Sequence, residues 1–288
     1  MGYMLNSLRR LSKMSKYSIV KVLNNLFWKF DQTIYVEGGF GNQLLGMMQL
    51  IHYQKLDASI SGDFRYFYSK PPGKETQLLA WELKEYGIDL PSQSEKMNSK
   101  IARWKYLIRP RNSQVSNSTV KFWRDFDPSH FREDFPLHKN TAALLMRLNI
   151  SEGDRICSIH LRRGDYLQVS SRVVQTHELG PLTGMLKSLS ISKFVVFSDS
   201  FIPLVELEKL ESQLGVKCIF VQGGDLHAVH GVMRMSDILI ASNSTFSLTA
   251  GLLSEKNDSF LISPTHFFSP DQKNLNELFQ SKSNWMII

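Results

Sequence analysis

The stretch "ICSIHLRRGDY", residues 156–166, joins a run of strand-forming residues to two arginines, a glycine and an aspartate. Charge clustered at the end of a strand is seldom needed for folding alone. The guanidinium of arginine is a planar fork of donors that matches phosphate oxygens. The stretch therefore predicts that Arg162 and Arg163 face phosphate groups, and the alternative is an Arg–Asp ion pair that only closes the strand end.

From this stretch onward, predicted strands and helices alternate along the chain to residue 263. The predicted strands are near-continuous apolar runs, as expected for a parallel sheet covered on both faces. They read "ICSIHL", "KFVVFSD", "KCIFVQ", "DILIAS" and, as the last strand, "SFLIS". The pattern predicts an α/β fold, in which ligands bind beyond the carboxyl ends of the strands.

A second cluster, "ASNSTFS" at residues 241–247, joins a predicted strand to a predicted helix. Asn243, Ser244 and Thr245 are good N-cap residues, and the free N–H groups of a helix N-terminus favour anions. The cluster predicts a phosphate or ribose contact, with helix capping alone as the alternative. We expect Phe246 to be a core residue rather than a platform for a base.

The third cluster, "GGFGNQ" at residues 38–43, follows the predicted strand "QTIYVE" and precedes a helix. Gly39 and Gly41 allow close approach of the backbone, and Asn42 is a candidate helix cap. The dinucleotide fingerprint would need a third glycine at Leu44, so a nicotinamide site is rejected. Further along, "TQLLAWELKEYGI" predicts a helix that ends near Gly87.

Composition sets limits on the class of protein. The net charge of +7 suits an anionic partner, but no recognition helix, zinc finger or stacking sheet favours nucleic acid. Two cysteines provide neither a zinc site nor a disulfide framework, which predicts a reducing, cytoplasmic compartment.

Residues 1–30 carry six Lys or Arg side chains and no acid. This segment is a candidate for peripheral contact with the inner face of an anionic membrane, and the alternatives are a packed basic helix or a disordered leader. The expected organisation is a basic leader (1–31) followed by two domains (32–150 and 151–288).

Together, the three clusters resemble the α-1,2-fucosyltransferase family, the inverting, GDP-fucose-dependent enzymes of bacterial-type glycosyltransferase family 11. "HLRRGDY" is similar to the family's H-x-R-R-G-D-Y motif, "GGFGNQLL" to G-G-x-G-N-Q-x-F, and "FSDS" to F-S-D-D. "SNSTFSLTAGLL" is similar to A-N-S-T-F-S-W-W-x-A-x-L, with Leu248 and Thr249 in place of the tryptophans. "QTHELGPL" resembles a segment with a histidine, which points to His177.

The resemblance implies a GT-B-like fold with two Rossmann-like domains facing a cleft, and no required metal. It implies that residues 32–150 form the acceptor-side domain and that residues 151–288 form the domain that binds the GDP-sugar donor. It implies transfer of L-fucose from GDP-fucose to a hydroxyl, expected to be the 2-OH of a galactose-type residue, on a glycan or glycolipid. The implied donor-site residues are Gly39, Gly41, Asn42, His160, Arg162, Asp225, Asn243, Ser244, Thr245 and Phe246, and the implied catalytic residues are Arg162, Arg163, Asp165 and His177.

Several roles stay open. Asp165 can orient an arginine, accept a hydrogen bond from a sugar hydroxyl or act as the base, and His177 and Glu37 are rival bases. His160 is expected to be a hydrogen-bonding residue at the strand end. The D-x-D spacing at residues 125–127 is expected to be a surface feature. The alternative functions are transfer of another GDP-deoxyhexose, or silent binding of a nucleotide or glycan on the same fold.

Overall fold

The computed structural model describes residues 33–36, 38–58, 60–64, 67, 80–91, 127, 129–164, 182–263 and 285–287. The chain forms two compact units, Met1–Phe122 and Trp123–Ile288. This division lies earlier than the boundary expected at residue 150, and the three-part assignment from the sequence stays a prediction. Within the described residues, no helix is long and apolar enough to cross a membrane.

The first unit contains the predicted strand, glycine turn and helix. Its described elements are β1 (Thr33–Tyr35), α1 (Phe40–Leu56), β2 (Ser61–Asp63) and a 3₁₀ turn (Leu83–Tyr86). Strands β1 and β2 pair in parallel. Helix α1 follows the glycine turn and buries most of its length, so that this turn lies at a fixed end of the strand–helix pair.

The helix predicted up to Gly87 is wrong for its described part, because only the 3₁₀ turn is helical there. Tertiary contacts fix residues 80–82, which form no regular helix. The Trp81 indole donates to the Ile88 carbonyl over 2.8 Å, and the Glu82 N–H donates to the Gln43 side chain over 2.9 Å. Gly87 ends the turn at φ +73°, as a left-handed C-cap.

The second unit alternates strands and helices as the sequence predicts. Its described elements are α2 (Ser129–Arg132), α3 (Asn140–Arg147), β3 (Ile156–Leu161), α4 (Thr183–Ser188), β4 (Lys193–Ser198), α5 (Leu204–Leu214), β5 (Cys218–Gln222), α6 (Leu226–Arg234), β6 (Ile238–Ile240), α7 (Thr245–Leu252), β7 (Phe260–Ser263) and β8 (Trp285–Ile287). The "SFLIS" segment is not the last strand, since β8 pairs beyond it. The terminal helix predicted near residues 275–279 lies outside the described residues.

In the described part of the chain these strands form one parallel sheet in the order β5-β4-β3-β6-β7-β8. The α/β class with a parallel sheet is therefore confirmed. The order matches the doubly wound Rossmann arrangement, in which the chain reverses direction across the sheet between the first and fourth strands. Here that switch point lies between β3 and β6, and β3 is buried along its whole length.

Helix α3 packs against α6 and belongs to the second unit. The crossing is close at Gly231, where an added Cβ would lie 3.0 Å from the Thr141 Cβ. Arg234, at the end of α6, is fully buried and donates to the Phe135 carbonyl over 2.7 Å. These contacts attach the segment before β3 to the sheet's helical layer.

Candidate functional site

The site begins at the switch point, where the carboxyl ends of β3 and β6 are neighbours. The last bridge between these strands pairs Ile159 with Ile240, so His160 and Ser242 follow in adjacent strand ends. His160 Nδ1 lies 2.8 Å from Ser242 Oγ, and both residues are buried. This hydrogen bond joins the first predicted cluster to the second.

His160 is a neutral hydrogen-bonding residue in this setting. Burial lowers the pKa of His160 to about 4; the charge of Arg162 acts in the same direction, and the carboxylate of Asp199 opposes it. The contact with Ser242 agrees with the structural role expected from the sequence.

The second cluster forms the start of α7. Ser244 is the N-cap, and its hydroxyl accepts the Phe246 N–H over 3.3 Å. Thr245 begins the helix, and Asn243 is half-buried before it. The capping predicted for this cluster is therefore present, while contact with a nucleotide stays a prediction.

Phe246 packs between two histidine rings. Its ring centroid lies 5.5 Å from that of His160 and 5.3 Å from that of His230. His230 Nε2 lies 3.1 Å from the hydroxyl of Thr249, one of the residues that replaces a family tryptophan. Burial lowers the pKa of His230 well below its ordinary value. Phe246 is half-buried against these two rings, and its implied role at the donor stays a prediction.

The two adjacent arginines have different surroundings. Arg162 Nη1 lies 3.0 Å from Asp199 Oδ2, and 34% of its side chain remains exposed. Arg163 is paired with Glu206 of α5, and only 6% of its side chain is exposed. Both arginines therefore make internal ion pairs. Their contact with phosphate stays a prediction, and Arg162 is the one whose side chain keeps substantial exposure.

Asp199 organises the turn after β3. Its Oδ1 accepts the backbone N–H of Arg163 over 2.8 Å and that of Gly164 over 3.1 Å. A Cβ added at Gly164 would lie 2.6 Å from Asp199 Oδ2, which explains the glycine in "RRGD". Sequence reasoning did not select Asp199 or Ser242 as site residues. The available signal was that "FSD" ends the strand beside β3.

The glycine turn before α1 has its own geometry. Gly38 adopts φ +84°, as glycine allows, and an added Cβ would meet Asn42 Nδ2 at 2.6 Å. Gly39, not Asn42, is the N-cap of α1 and makes no side-chain cap, so the predicted capping by Asn42 is wrong. Asn42 is exposed, and Gly41 is buried in the helix. A role for these residues at the sugar stays a prediction.

Gln43, the last residue of this cluster, is a structural link that the sequence did not reveal. It is fully buried, and its Nε2 donates to the carbonyls of Gly38 over 3.0 Å and Ala80 over 2.9 Å. Its position in "GNQ" therefore fixes the glycine turn against residues 80–82.

Asp225 caps a helix. Its Oδ1 accepts the N–H groups of His227 and Ala228 over 3.0 and 3.3 Å, and its Oδ2 accepts from Asn140 over 2.6 Å. This carboxylate therefore joins α6 to α3, and its implied role in the donor site stays a prediction.

Three predicted residues, Asp165, His177 and Glu37, lie outside the described residues, as does Asp125 of the D-x-D spacing. Asp127 of that spacing is exposed. Within the described ranges, no group of three or more His, Cys, Asp or Glu side chains could hold a metal ion.

Comparison with known proteins gives three relationships. The family model described as Glycosyl transferase family 11 matches residues 65–288. Galactoside alpha-(1,2)-fucosyltransferase 1 from Leontopithecus chrysomelas and that from Lagothrix lagotricha are each 30% identical over 160 residues. These matches cover 48% of this chain and 40% of each relative, so the chain spans less than half the length of the curated relatives that it matches. A crystal structure of POFUT1 in complex with GDP aligns with a TM-score of 0.44 and 12% identity, covering 80% of this chain and 97% of that one.

The family resemblance stated from the motifs is thereby confirmed. The matched range includes "HLRRGDY" and "SNSTFSLTAGLL", the two clusters that meet at the switch point. It starts after "GGFGNQ", which therefore rests on the motif alone. Because the family model matches most of its length, the chain belongs to glycosyl transferase family 11.

Proposed function

We propose that the protein transfers L-fucose from GDP-fucose to a hydroxyl of a glycan or glycolipid, with the 2-OH of a galactose-type residue as acceptor. The observation that carries the proposal is the position of Arg162, which follows β3 at the switch point of a Rossmann-like sheet with a partly exposed side chain. Membership of glycosyl transferase family 11 and the names of the curated relatives support it.

The proposed role of Arg162 is electrostatic. When the bond between the sugar and GDP breaks, negative charge builds on the diphosphate. A guanidinium held at the β-phosphate stabilises that charge more in the transition state than in the ground state. Arg163 is buried and paired with Glu206 of α5, so it is less available to the diphosphate than Arg162. Ser244 and Thr245, at the start of α7, are the proposed contacts for the nucleotide.

Inversion at the anomeric carbon requires the acceptor hydroxyl to lose a proton during one displacement. Asp165, His177 and Glu37 are the candidate bases, and a base contributes roughly 10²–10⁴-fold to the rate. In this proposal no metal is needed, because arginine supplies the positive charge at the diphosphate.

The direct test is calorimetry with GDP, GDP-fucose and GDP-mannose, with and without EDTA, followed by a transfer assay on a β-galactoside. We expect EDTA-insensitive binding, preference for GDP-fucose and a product with inverted anomeric configuration. Preference for GDP-mannose would contradict the proposed donor. Binding of GDP without transfer would overturn the enzymatic proposal and leave a nucleotide-binding protein.

Arginine-to-lysine variants test the phosphate contact, since an ammonium cannot reproduce the guanidinium fork. We expect Arg162→Lys to weaken GDP binding by roughly tenfold, the scale of one charged hydrogen bond. Arg155→Lys is the matched control. Arg155 precedes the same strand and faces the carboxylate of Asp237 at the amino-terminal end of the strands, away from the proposed site. Unchanged GDP affinity in both Arg162→Lys and Arg163→Lys would reject the assignment.

Membrane contact through residues 1–30 is a separate part of the proposal, supported by six cationic side chains without an acid. We expect the full chain to float with anionic liposomes and a variant without residues 1–30 to remain at the bottom of the gradient. Equal flotation of both proteins would reject a membrane role for this segment.

A further inference from the structure

We infer that Asp199 is a positioning residue for donor binding. It holds the guanidinium of Arg162 and the backbone of Arg163 and Gly164, which form the turn after β3. This inference rests on the proposed function. Asp199 directly follows β4, the strand beside β3, whereas the sequence predicted site residues after β3 and at the start of α7.

The geometry behind this inference begins with strand register. Strands β3 and β4 pair so that Leu161 lies opposite Ser198. Arg162 directly follows β3 and Asp199 directly follows β4, and Arg162 Nη1 lies 3.0 Å from Asp199 Oδ2. Because both residues directly follow paired strands, the register of the sheet brings Asp199 to Arg162.

The carboxylate of Asp199 has two separate tasks. Oδ1 accepts the N–H groups of Arg163 and Gly164, and Oδ2 receives Arg162 Nη1. Three donors thus surround one carboxylate. They offset its negative charge, which would otherwise repel a diphosphate nearby.

These contacts also determine how an anion can be recognised at this turn. In phosphate-binding turns, free backbone N–H groups cradle the anion. Here the N–H groups of Arg163 and Gly164 already donate to Asp199. The absence of a side chain at Gly164 leaves room for the Asp199 carboxylate, because a Cβ added there would lie 2.6 Å from Oδ2. Recognition at this turn therefore depends on the Arg162 side chain, and its orientation depends on Asp199.

Arginine loses considerable side-chain freedom when it binds a ligand, and a preorganised side chain loses less. With Nη1 tethered to Asp199, the guanidinium plane is restrained while 34% of the side chain remains exposed. Replacing Asp199 by asparagine keeps an oxygen for the two N–H groups, but it removes the charge that faces Arg162. The variant therefore separates the tether from the backbone contacts.

The experiment is a double-mutant cycle on the full chain, with GDP binding measured by calorimetry for wild type, Asp199→Asn, Arg162→Ala and the double variant. We expect Asp199→Asn to weaken GDP binding by roughly tenfold. In the Arg162→Ala background, the same change has no further effect, because Asp199 acts through that arginine. A merely structural role would lower affinity equally in both backgrounds.

Asp237→Asn is the matched control. Asp237 also accepts a backbone N–H, from Ile156 over 2.7 Å, and it faces Arg155. These residues lie at the amino-terminal ends of β3 and β6, away from the proposed site. The control variant should leave GDP affinity unchanged even where thermal stability falls. Should Asp199→Asn fail to fold, Gly164→Ala enters the same cycle, because its Cβ displaces Oδ2 from Arg162.

The outcomes separate the two proposals. If Arg162→Ala weakens GDP binding but Asp199→Asn has no effect, or has an additive one, the positioning role is overturned and the proposed function stands. If Arg162→Ala leaves GDP affinity unchanged, or the wild type does not bind GDP, both fall.

Discussion

Arg162 and Arg163 are neighbours in the sequence, yet their side chains differ. That of Arg162 is partly exposed and pairs with Asp199, whereas that of Arg163 is buried and pairs with Glu206. The sequence predicted a cluster of charge at a strand end, which the structure contains. It could not assign different surroundings to the two arginines, because the carboxylates that pair with them come from the residue after β4 and from α5. Residue types and local spacing carry no information about such long-range partners.

The ion pair of Arg163 leads to a prediction about stability. Glu206→Gln leaves a buried guanidinium without its carboxylate, so we expect the free energy of unfolding to fall by about 2 kcal/mol. Glu208→Gln, at an exposed position of the same helix, should have little effect. Urea denaturation measures both changes. Equal stability of the two variants would show that the buried pair contributes nothing.

His160 predicts how stability depends on pH. Its pKa is about 4 in the folded protein and about 6.5 in the unfolded chain, so the unfolded state binds more protons between these values. Stability is fully present above pH 6.5 and is lost as the pH falls towards 4, by on the order of 3 kcal/mol from this residue. His230 acts in the same direction.

The measurement compares urea denaturation at pH 7.5 and at pH 5 for wild type and His160→Gln. We expect the difference between the two pH values to shrink in the variant, since glutamine does not titrate. An identical difference in both proteins would mean that His160 is not the source.

At the scale of elements, α3 and α6 depend on a single small residue where they cross. A Cβ at Gly231 would lie 2.8 Å from Thr141 Cγ2 and 3.0 Å from Thr141 Cβ. We expect Gly231→Ala to lower the free energy of unfolding by about 1–3 kcal/mol through overpacking. Thr141→Ala should relieve part of this loss when combined with it.

The matched control for this prediction is Gly184→Ala. Gly184 lies in α4, and an added Cβ there meets nothing within 4 Å. Alanine in an unobstructed helix should stabilise the protein by about 0.4–1 kcal/mol. Thermal unfolding of the two variants should therefore shift in opposite directions, and a loss of similar size in both would contradict the packing argument.

The sequence predicted elements best where the pattern was long and local. The six residues of "ICSIHL", all of them buried, match β3, and the alternation of strands and helices gave the α/β class. It failed where tertiary contacts decide the backbone. Gln43 and Trp81 hold residues 80–82 outside any helix, and β8 is only three residues long with no pattern of its own.

At the scale of the whole molecule, residues 123–150 belong to the second unit. The sequence favoured a boundary at residue 150, because the turn before β3 marks the start of regular alternation. The structure adds contacts that no periodicity reveals, such as the hydrogen bonds from Arg234 to Phe135 and from Asn140 to Asp225.

This division predicts the behaviour of fragments. A fragment of residues 123–288 retains α3 against α6, and a fragment of residues 151–288 exposes that face and leaves buried Arg234 without the Phe135 carbonyl. We expect the longer fragment to unfold cooperatively and at higher temperature in calorimetry. Equal melting of the two fragments would contradict the assignment of α3 to this unit.

The shared space between Gly164 and Asp199 has an evolutionary consequence. A side chain at residue 164 and a carboxylate at residue 199 cannot occupy the same volume. Tolerance at either position is therefore conditional on the other, so the two sites are epistatic. A mutational library that randomises residue 164 alone and is selected for GDP binding should be enriched in glycine, and other residues should be tolerated there more often when position 199 varies with it.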